Sequence, residues 1–264
     1  MNIFLRELKS GLRSLLIWSV IVILFVSVGI SKFQAYYGNP EMLKLLDAMP
    51  PAVLAAFSFE AFNLTTVNGF YGLMFSYYAL ILAIAAAMWG SDIISKEERD
   101  KTVEFSLTLP VTRSRVVTAK ALAALVNSLL LLLVTWGVSV LSVQRYQPDA
   151  EFYRFLALCM VALFILQVVF LSIGLLLGCG LKQYRRAGSA AVSVLLVTFF
   201  LSVVISINQG LDWLKYLSPF KYFDAGAMLR ESRLDPLYVG ISIAIIAACL
   251  AGAYLSYSKR DLAI

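Results

Sequence analysis

Apolar residues in this chain fall into long blocks separated by short polar stretches. Six blocks, at 14–32, 68–90, 118–143, 153–178, 189–208 and 237–257, carry no charge through their middles. A helix crosses a hydrocarbon core of about 30 Å with about 20 apolar residues. Each block therefore predicts a spanning helix, and the six together predict an all-α membrane protein. No stretch between the blocks is long enough to fold separately, so 1–264 reads as a single transmembrane domain.

Two stretches carry a mixed pattern. In residues 3–16, Phe4, Leu5, Leu8, Leu12, Leu15 and Leu16 recur at helical spacing, with Arg6, Glu7, Lys9 and Arg13 between them. That pattern predicts a helix lying in the membrane interface before the first span. Residues 41–63 are also fairly apolar, but they contain Glu41, Lys44, Asp47, the Pro50-Pro51 pair and Glu60. Adjacent prolines break a helix, so short amphipathic pieces are expected there, lying on the outer membrane surface or dipping into it.

Charge sets the expected orientation. With the N-terminus inside, the inner segments are 1–13, 91–120, 179–188 and 258–264, holding 14 of the 22 Lys and Arg residues. The inner side then sums to +7 and the outer side to −1, which agrees with the bias of basic residues toward the cytoplasm. Both termini are expected inside. Arg6, Lys9 and Arg13 before the first block look like the start of a signal peptide. The block is long, has no A-x-A cleavage site and is followed by more spans, so it reads as a retained helix.

Composition agrees with lipid as the main solvent: 61% of residues are hydrophobic, 14% are charged and the mean hydropathy is +0.83. The net charge of +6 and pI near 9.2 do not make a nucleic-acid binder, because no basic run is interleaved with stacking aromatics. Histidine is absent, which removes the commonest general base and metal ligand. Cys159, Cys179 and Cys249 are far apart and form no C-x-x-C pair, so they read as small buried apolar residues. The mid-span polar groups are mild. Gln167 is expected to hydrogen-bond a neighbouring helix, as is common for amides in membranes. No phosphate-binding G-x-x-x-x-G-K-[ST] occurs. Gly174-x-x-x-Gly178 instead suits close helix packing. An enzyme is disfavoured, and the chain shows no energy source of its own.

The loop between the second and third spans holds the most information: SDIISKEERDKTVEFSLTLPVTRSRVVTAK, residues 91–120. Glu97 to Lys101 continue the second span into water. Thr102 to Leu109 are a candidate short amphipathic helix with Val103, Phe105, Leu107 and Leu109 apolar, and Pro110 ends it. Thr112 or Ser114 is placed to cap the helix of the third span. Arg113, Arg115 and Lys120 are expected at headgroup depth. Such a loop either sets topology alone or transmits motion from a cytoplasmic partner.

Glu98, Thr102, Val103, Glu104, Leu109, Pro110, Val111, Thr112, Arg113 and Lys120 resemble the loop pattern of the type-2 ABC transporter permeases. Lys101 departs from it, standing where that family usually has glycine. Y-L-S-P-F-K-Y-F, Tyr216 to Phe223, is similar to the family's exterior segment after the fifth span, and Y-S-K-R-D-L, Tyr257 to Leu262, to its ending. The resemblance covers the whole chain in length, span number and orientation.

It implies a multi-pass permease in a bacterial or archaeal cytoplasmic membrane, with no catalysis and no cofactor in this chain. A second permease chain, identical or different, would pair with it. Two separate ATPase subunits would bind ATP and magnesium. Residues 3–16 would be the elbow helix, and the loop would hold the coupling helix that docks on the ATPase. Glu97, Glu98, Thr102, Glu104, Phe105, Leu107, Pro110 and Arg113 would carry the coupling. Spans two and five would line the path, and 41–63 and 209–235 would shape its outer mouth.

The second span opens NGFYGLMFSYYAL, with Phe70, Tyr71, Phe75, Tyr77 and Tyr78 crowded into its outer half. Interfacial aromatic belts need fewer rings, so Phe70, Phe75, Tyr77 and Tyr78 are candidates to face the path. Tyr71 is expected in the belt. An uncharged aromatic path suits an amphipathic peptide, lipid or drug-like molecule. The rival class is a non-transporting immunity or sensor subunit that binds a partner through loop 91–120.

Overall fold

The computed structural model describes residues 3–39, 62–99, 112–181 and 183–259, together with Pro50 and Leu54. Six long helices dominate it: α1 Ile3–Phe33, α2 Val67–Arg99, α3 Arg113–Val143, α4 Ala150–Gly180, α5 Tyr184–Ile207 and α6 Pro236–Lys259. Each carries one of the six apolar blocks and is long and apolar enough to cross a membrane. No strand occurs among the described residues. Nearly all of 41–63 lies outside the described residues, so the surface pieces expected there are not described.

Local chemistry sets the helix starts. Thr66 precedes α2, and its Oγ1 accepts the Gly69 N–H at 3.1 Å, satisfying one of the free donors of the first turn. Asp149 does the same for α4, accepting the Phe152 N–H at 2.8 Å. Thr112 takes the position before α3, but its hydroxyl lies 3.2 Å from that of Ser114 and bonds no helix N–H. The capping position is therefore as expected, without the capping bond.

α2 and α4 form the centre. Of their most apolar windows, 67% and 61% are buried, against 22% for α1 and α5 and 17% for α6. The two helices run parallel, since Tyr71 meets Phe152 near their starts and Gly90 meets the Leu171 backbone further along. Small residues allow this approach. A Cβ on Gly174 would lie 2.3 Å from the Ala87 carbonyl oxygen, and one on Gly90 would lie 2.2 Å from that of Leu171. The Gly174-x-x-x-Gly178 pattern thus packs helix backbones together. Gln167 Nε2 donates to the Ser128 carbonyl at 3.3 Å, the interhelical bond expected of it. Cys159 and Cys179 are buried and Cys249 is half-buried. Around the centre, α1 packs along α3, α5 along α2, and α6 along α4. Leu16, Ile17, Val197 and Ile243 face outward uncovered, as lipid-facing side chains do.

The structure corrects one expectation at the amino-terminal end. Residues 3–16 do not form a separate elbow; they are the first half of the unbroken α1. No proline or cap interrupts them, and the Ser10 hydroxyl bonds back to the Glu7 carbonyl within the same helix. Its leucines face outward, as an interfacial face does, and the charged side holds a buried carboxylate. Leu5, Leu12 and Leu16 are exposed, while Glu7 is 3% exposed. Lys120 was expected at headgroup depth, yet it is wholly buried. Its Nζ lies 3.8 Å from Glu7 Oε1 and donates to the Ile93 carbonyl at 2.7 Å. A buried ammonium holds its charge only with such partners, and α1 and α2 supply them.

Candidate functional site

Beyond α5 the chain does not stay at the surface. Asn208 accepts the Gly210 N–H, and a 3-10 segment, Gln209–Leu217, turns the chain back. Ser218 is wholly buried and its hydroxyl donates to the Thr198 carbonyl, inside α5, at 2.7 Å. The Phe220 ring then sits 5.1 Å from Phe170 and 5.3 Å from Phe199, centre to centre. Phe170 stands about two-thirds of the way along the 31-residue α4, so Phe220 reaches deep between the helices. A short helix, Ala225–Glu231, capped by Asp224, follows and leads the chain out.

This re-entering segment, α2 and α5 enclose a cleft of about 300 Å³. α2 contributes Gly72, Ser76 and Tyr77; α5 contributes Phe199, Phe200, Ser202 and Ser206; the segment adds Phe220, Lys221, Phe223 and Asp224. The walls are largely aromatic, with a narrow row of hydroxyls and one lysine. Lys221 Nζ donates to Ser206 Oγ at 2.7 Å. Burial pushes its pKa below the ordinary lysine range, against the opposing pull of the Asp224 and Asp212 carboxylates. Asp224 is partly engaged, accepting the Ala227 N–H at 2.7 Å. A smaller cavity of about 40 Å³ continues inward between Phe75, Leu166 and Phe220. The arrangement suits an amphipathic guest, with rings for an apolar body and a charged and hydroxyl-bearing edge for a polar head.

The aromatic residues expected on the path divide. Tyr77 lines the cleft and Phe75 the smaller cavity. Phe70 packs against the Phe33 and Tyr36 rings at 4.9 and 5.8 Å. Tyr78 is buried against Tyr71 and Phe25 at 5.4 and 6.1 Å. Those two therefore sit on the α1 side. Tyr71, expected in the belt, is wholly buried and shares a 2.9 Å hydrogen bond with Ser139 of α3. The sequence reading did not single out Phe199, Phe200, Ser202, Ser206 or Lys221. Two signals pointed toward them: the expected path along span five and the Tyr216–Phe223 motif, which contains Lys221.

Of the residues expected to carry coupling, Glu97 and Glu98 lie in the last turn of α2. Thr102, Glu104, Phe105, Leu107 and Pro110 fall outside the described residues. Arg113 opens α3, and its Nη1 donates to the carbonyls of Tyr257 and Ser258 at 3.4 and 3.2 Å. The roots of the loop, the start of α1 and the end of α6 therefore meet at one end of the bundle. Among the described residues no group of His, Cys, Asp or Glu is placed to hold a metal ion.

No curated protein matches the chain. The family model described as "ABC-2 family transporter protein" matches it over residues 1–262. With six helices long and apolar enough to cross a membrane and a family match over residues 1–262, this multi-pass membrane protein belongs to the ABC-2 transporter family.

Proposed function

We propose that this chain is the permease subunit of an ATP-driven exporter. Two permeases pair over two ATPase subunits, which bind ATP and magnesium, while this chain binds the cargo and moves. The observation that carries the reading is the cleft between α2 and α5 in a chain matched end to end by a transporter family. Basic residues favour the amino-terminal end as the cytoplasmic one, which sets loop 100–112 where an ATPase can reach it. In the loop, Phe105 and Leu107 serve as apolar anchors of the docking helix, since a few such side chains dominate most interfaces. Glu97, Glu98, Thr102, Glu104, Pro110 and Arg113 frame that helix.

The cargo is an amphipathic peptide, lipid or drug-like molecule. It enters between Tyr77, Phe199, Phe200 and Phe220, with its polar head toward Lys221 and Ser206. Affinity purification of the tagged chain from its native membrane tests the reading. An ATPase recovered in about equal amount supports it. Recovery of the chain alone, or with a partner that hydrolyses no nucleotide, refutes it and favours the immunity or sensor alternative.

A further inference from the structure

Four residues on one face of α1 form a polar seam. Glu7, Ser10, Gly11 and Ser14 are spaced to share that face. Ser14 Oγ accepts from Trp89 Nε1 of α2 at 2.9 Å. Ser10 Oγ accepts from Lys96 Nζ of α2 at 2.9 Å. Gly11 admits Asn127 of α3, whose Nδ2 would lie 2.6 Å from a Cβ there. At the head of the seam, the Glu7 carboxylate divides its two oxygens. Oε2 pairs with Lys96. Oε1 faces Lys120 at 3.8 Å and the neighbouring Arg6 at 3.6 Å.

The two lysines belong to different helices. Lys96 stands three residues before the end of α2 and Lys120 seven residues after the start of α3. They are the roots of the loop that the preceding reading assigns to the ATPase. Lys120 also holds the α2 backbone through the Ile93 carbonyl. We infer that Glu7 is the positioning residue of this loop: one buried carboxylate clamps both of its roots to α1, so that a push on the loop moves α1. The inference deepens the proposed function and rests on it for the origin of the push.

Two features make this more than packing. A buried ion cluster is a poor stabiliser compared with apolar residues of the same volume, whereas it fixes relative position well because its geometry has few substitutes. The helix it grips is also unbroken. α1 runs from Glu7 to Phe33, whose ring meets Phe70 at 4.9 Å and Tyr146 at 4.8 Å at the opposite end of the bundle. From Leu16 to Val28 its outer face is apolar and uncovered, so sliding that stretch against lipid breaks no polar contact. Motion at the loop roots thus has a rigid route to the other side of the membrane.

The test uses the full chain in lipid nanodiscs with Cys159, Cys179 and Cys249 replaced by alanine, and spin labels at the exposed Leu12 and Arg115. The wild-type chain gives a narrow distance distribution, and Glu7→Gln broadens it. A second pair of labels, at Leu16 and Leu255, follows α1 in the complex with its copurified ATPase, before and after trapping with Mg-ATP and vanadate. The triple variant Glu7→Gln, Lys96→Gln, Lys120→Met leaves no buried ion at this site, since the remaining Arg6 is reached by solvent, and so keeps the fold and the bound ATPase. It loses the nucleotide-driven distance change. A Glu7→Gln distribution as narrow as wild type overturns the inference. So does a triple variant that keeps the full nucleotide-driven change, or a wild type in which α1 stays still. If no ATPase copurifies with the wild type, the permease reading falls, and the Leu12–Arg115 distribution alone decides for or against Glu7 as the clamp.

Discussion

Adding one methyl group to Gly174 should weaken the whole protein. In the structure its Cβ would sit 2.3 Å from the Ala87 carbonyl oxygen and 3.0 Å from the Ser91 nitrogen. Both neighbours are helix backbone and cannot swing aside. Ordinary contact begins near 3.4 Å, so α2 and α4 must part by about 1 Å. A gap of that size costs each contact along the seam about a quarter to a half of its attraction. Overpacking typically costs about 1–3 kcal/mol, and a backbone-on-backbone clash belongs at the upper end, about 3 kcal/mol. At about 2–4 °C per kcal/mol for a chain near this size, Gly174→Ala should lower the melting temperature by about 6–12 °C.

Gly90→Ala makes the reciprocal clash, 2.2 Å from the Leu171 oxygen, and should cost about as much. The double variant should cost little more than either single one, because helices already parted accept the second methyl. Thermal unfolding of the purified variants in one detergent measures this as a coupling of about 2–3 kcal/mol. Gly137, which has nothing within 4 Å, is the control, and Gly137→Ala should be neutral or mildly stabilising. A neutral Gly174→Ala, or additive losses in the double variant, would show that the close seam is not what holds α2 to α4.

Other variants test the remaining sites. Tyr71→Phe should cost about 1 kcal/mol by leaving the Ser139 hydroxyl unpaired, while Tyr71→Phe with Ser139→Ala should recover most of it in the same melts. In the cleft, Lys221→Met should leave the melting temperature near wild type, since burial already disfavours its ammonium, yet lower export of the true cargo several-fold. Equal export would place the cargo elsewhere. Glu104→Lys with Phe105→Ala should retain the chain in the membrane but uncouple ATP hydrolysis from transport, and unchanged transport and ATPase binding would refute the coupling assignment. Phe220→Ala opens the space between Phe170 and Phe199 and, since Phe220 is partly buried, should cost about 2–3 kcal/mol in stability.

The sequence reading succeeded where lipid imposes a one-dimensional requirement. A span must be long, apolar and helical because bilayer hydrocarbon offers no hydrogen bonds to a bare backbone. That requirement is written in consecutive residues, so the six helices could be read directly. What the polar face of the first half of α1 packs against was not legible, for a related reason. Periodicity shows that Leu5, Leu12 and Leu16 share a face, and in water such a face turns inward. Beside lipid the apolar face can turn outward and the polar one inward, and the same pattern fits both arrangements.

Helix number and the packing role of Gly174 and Gly178 were therefore determined by local pattern alone. Only the tertiary structure decided that Phe70 and Tyr78 turn to α1 while Phe75 and Tyr77 turn to the cavities. It also decided that Phe220 re-enters between α4 and α5, and that Glu7 meets Lys96 and Lys120. Each of these joins residues far apart in the chain. A long-range contact depends on how whole helices pack and rotate, and no window of neighbouring residues encodes that rotation. The burial of Lys120 illustrates the point: beside water its sequence context predicts a headgroup lysine, and the carboxylate that lets it go inside lies 113 positions earlier in the chain.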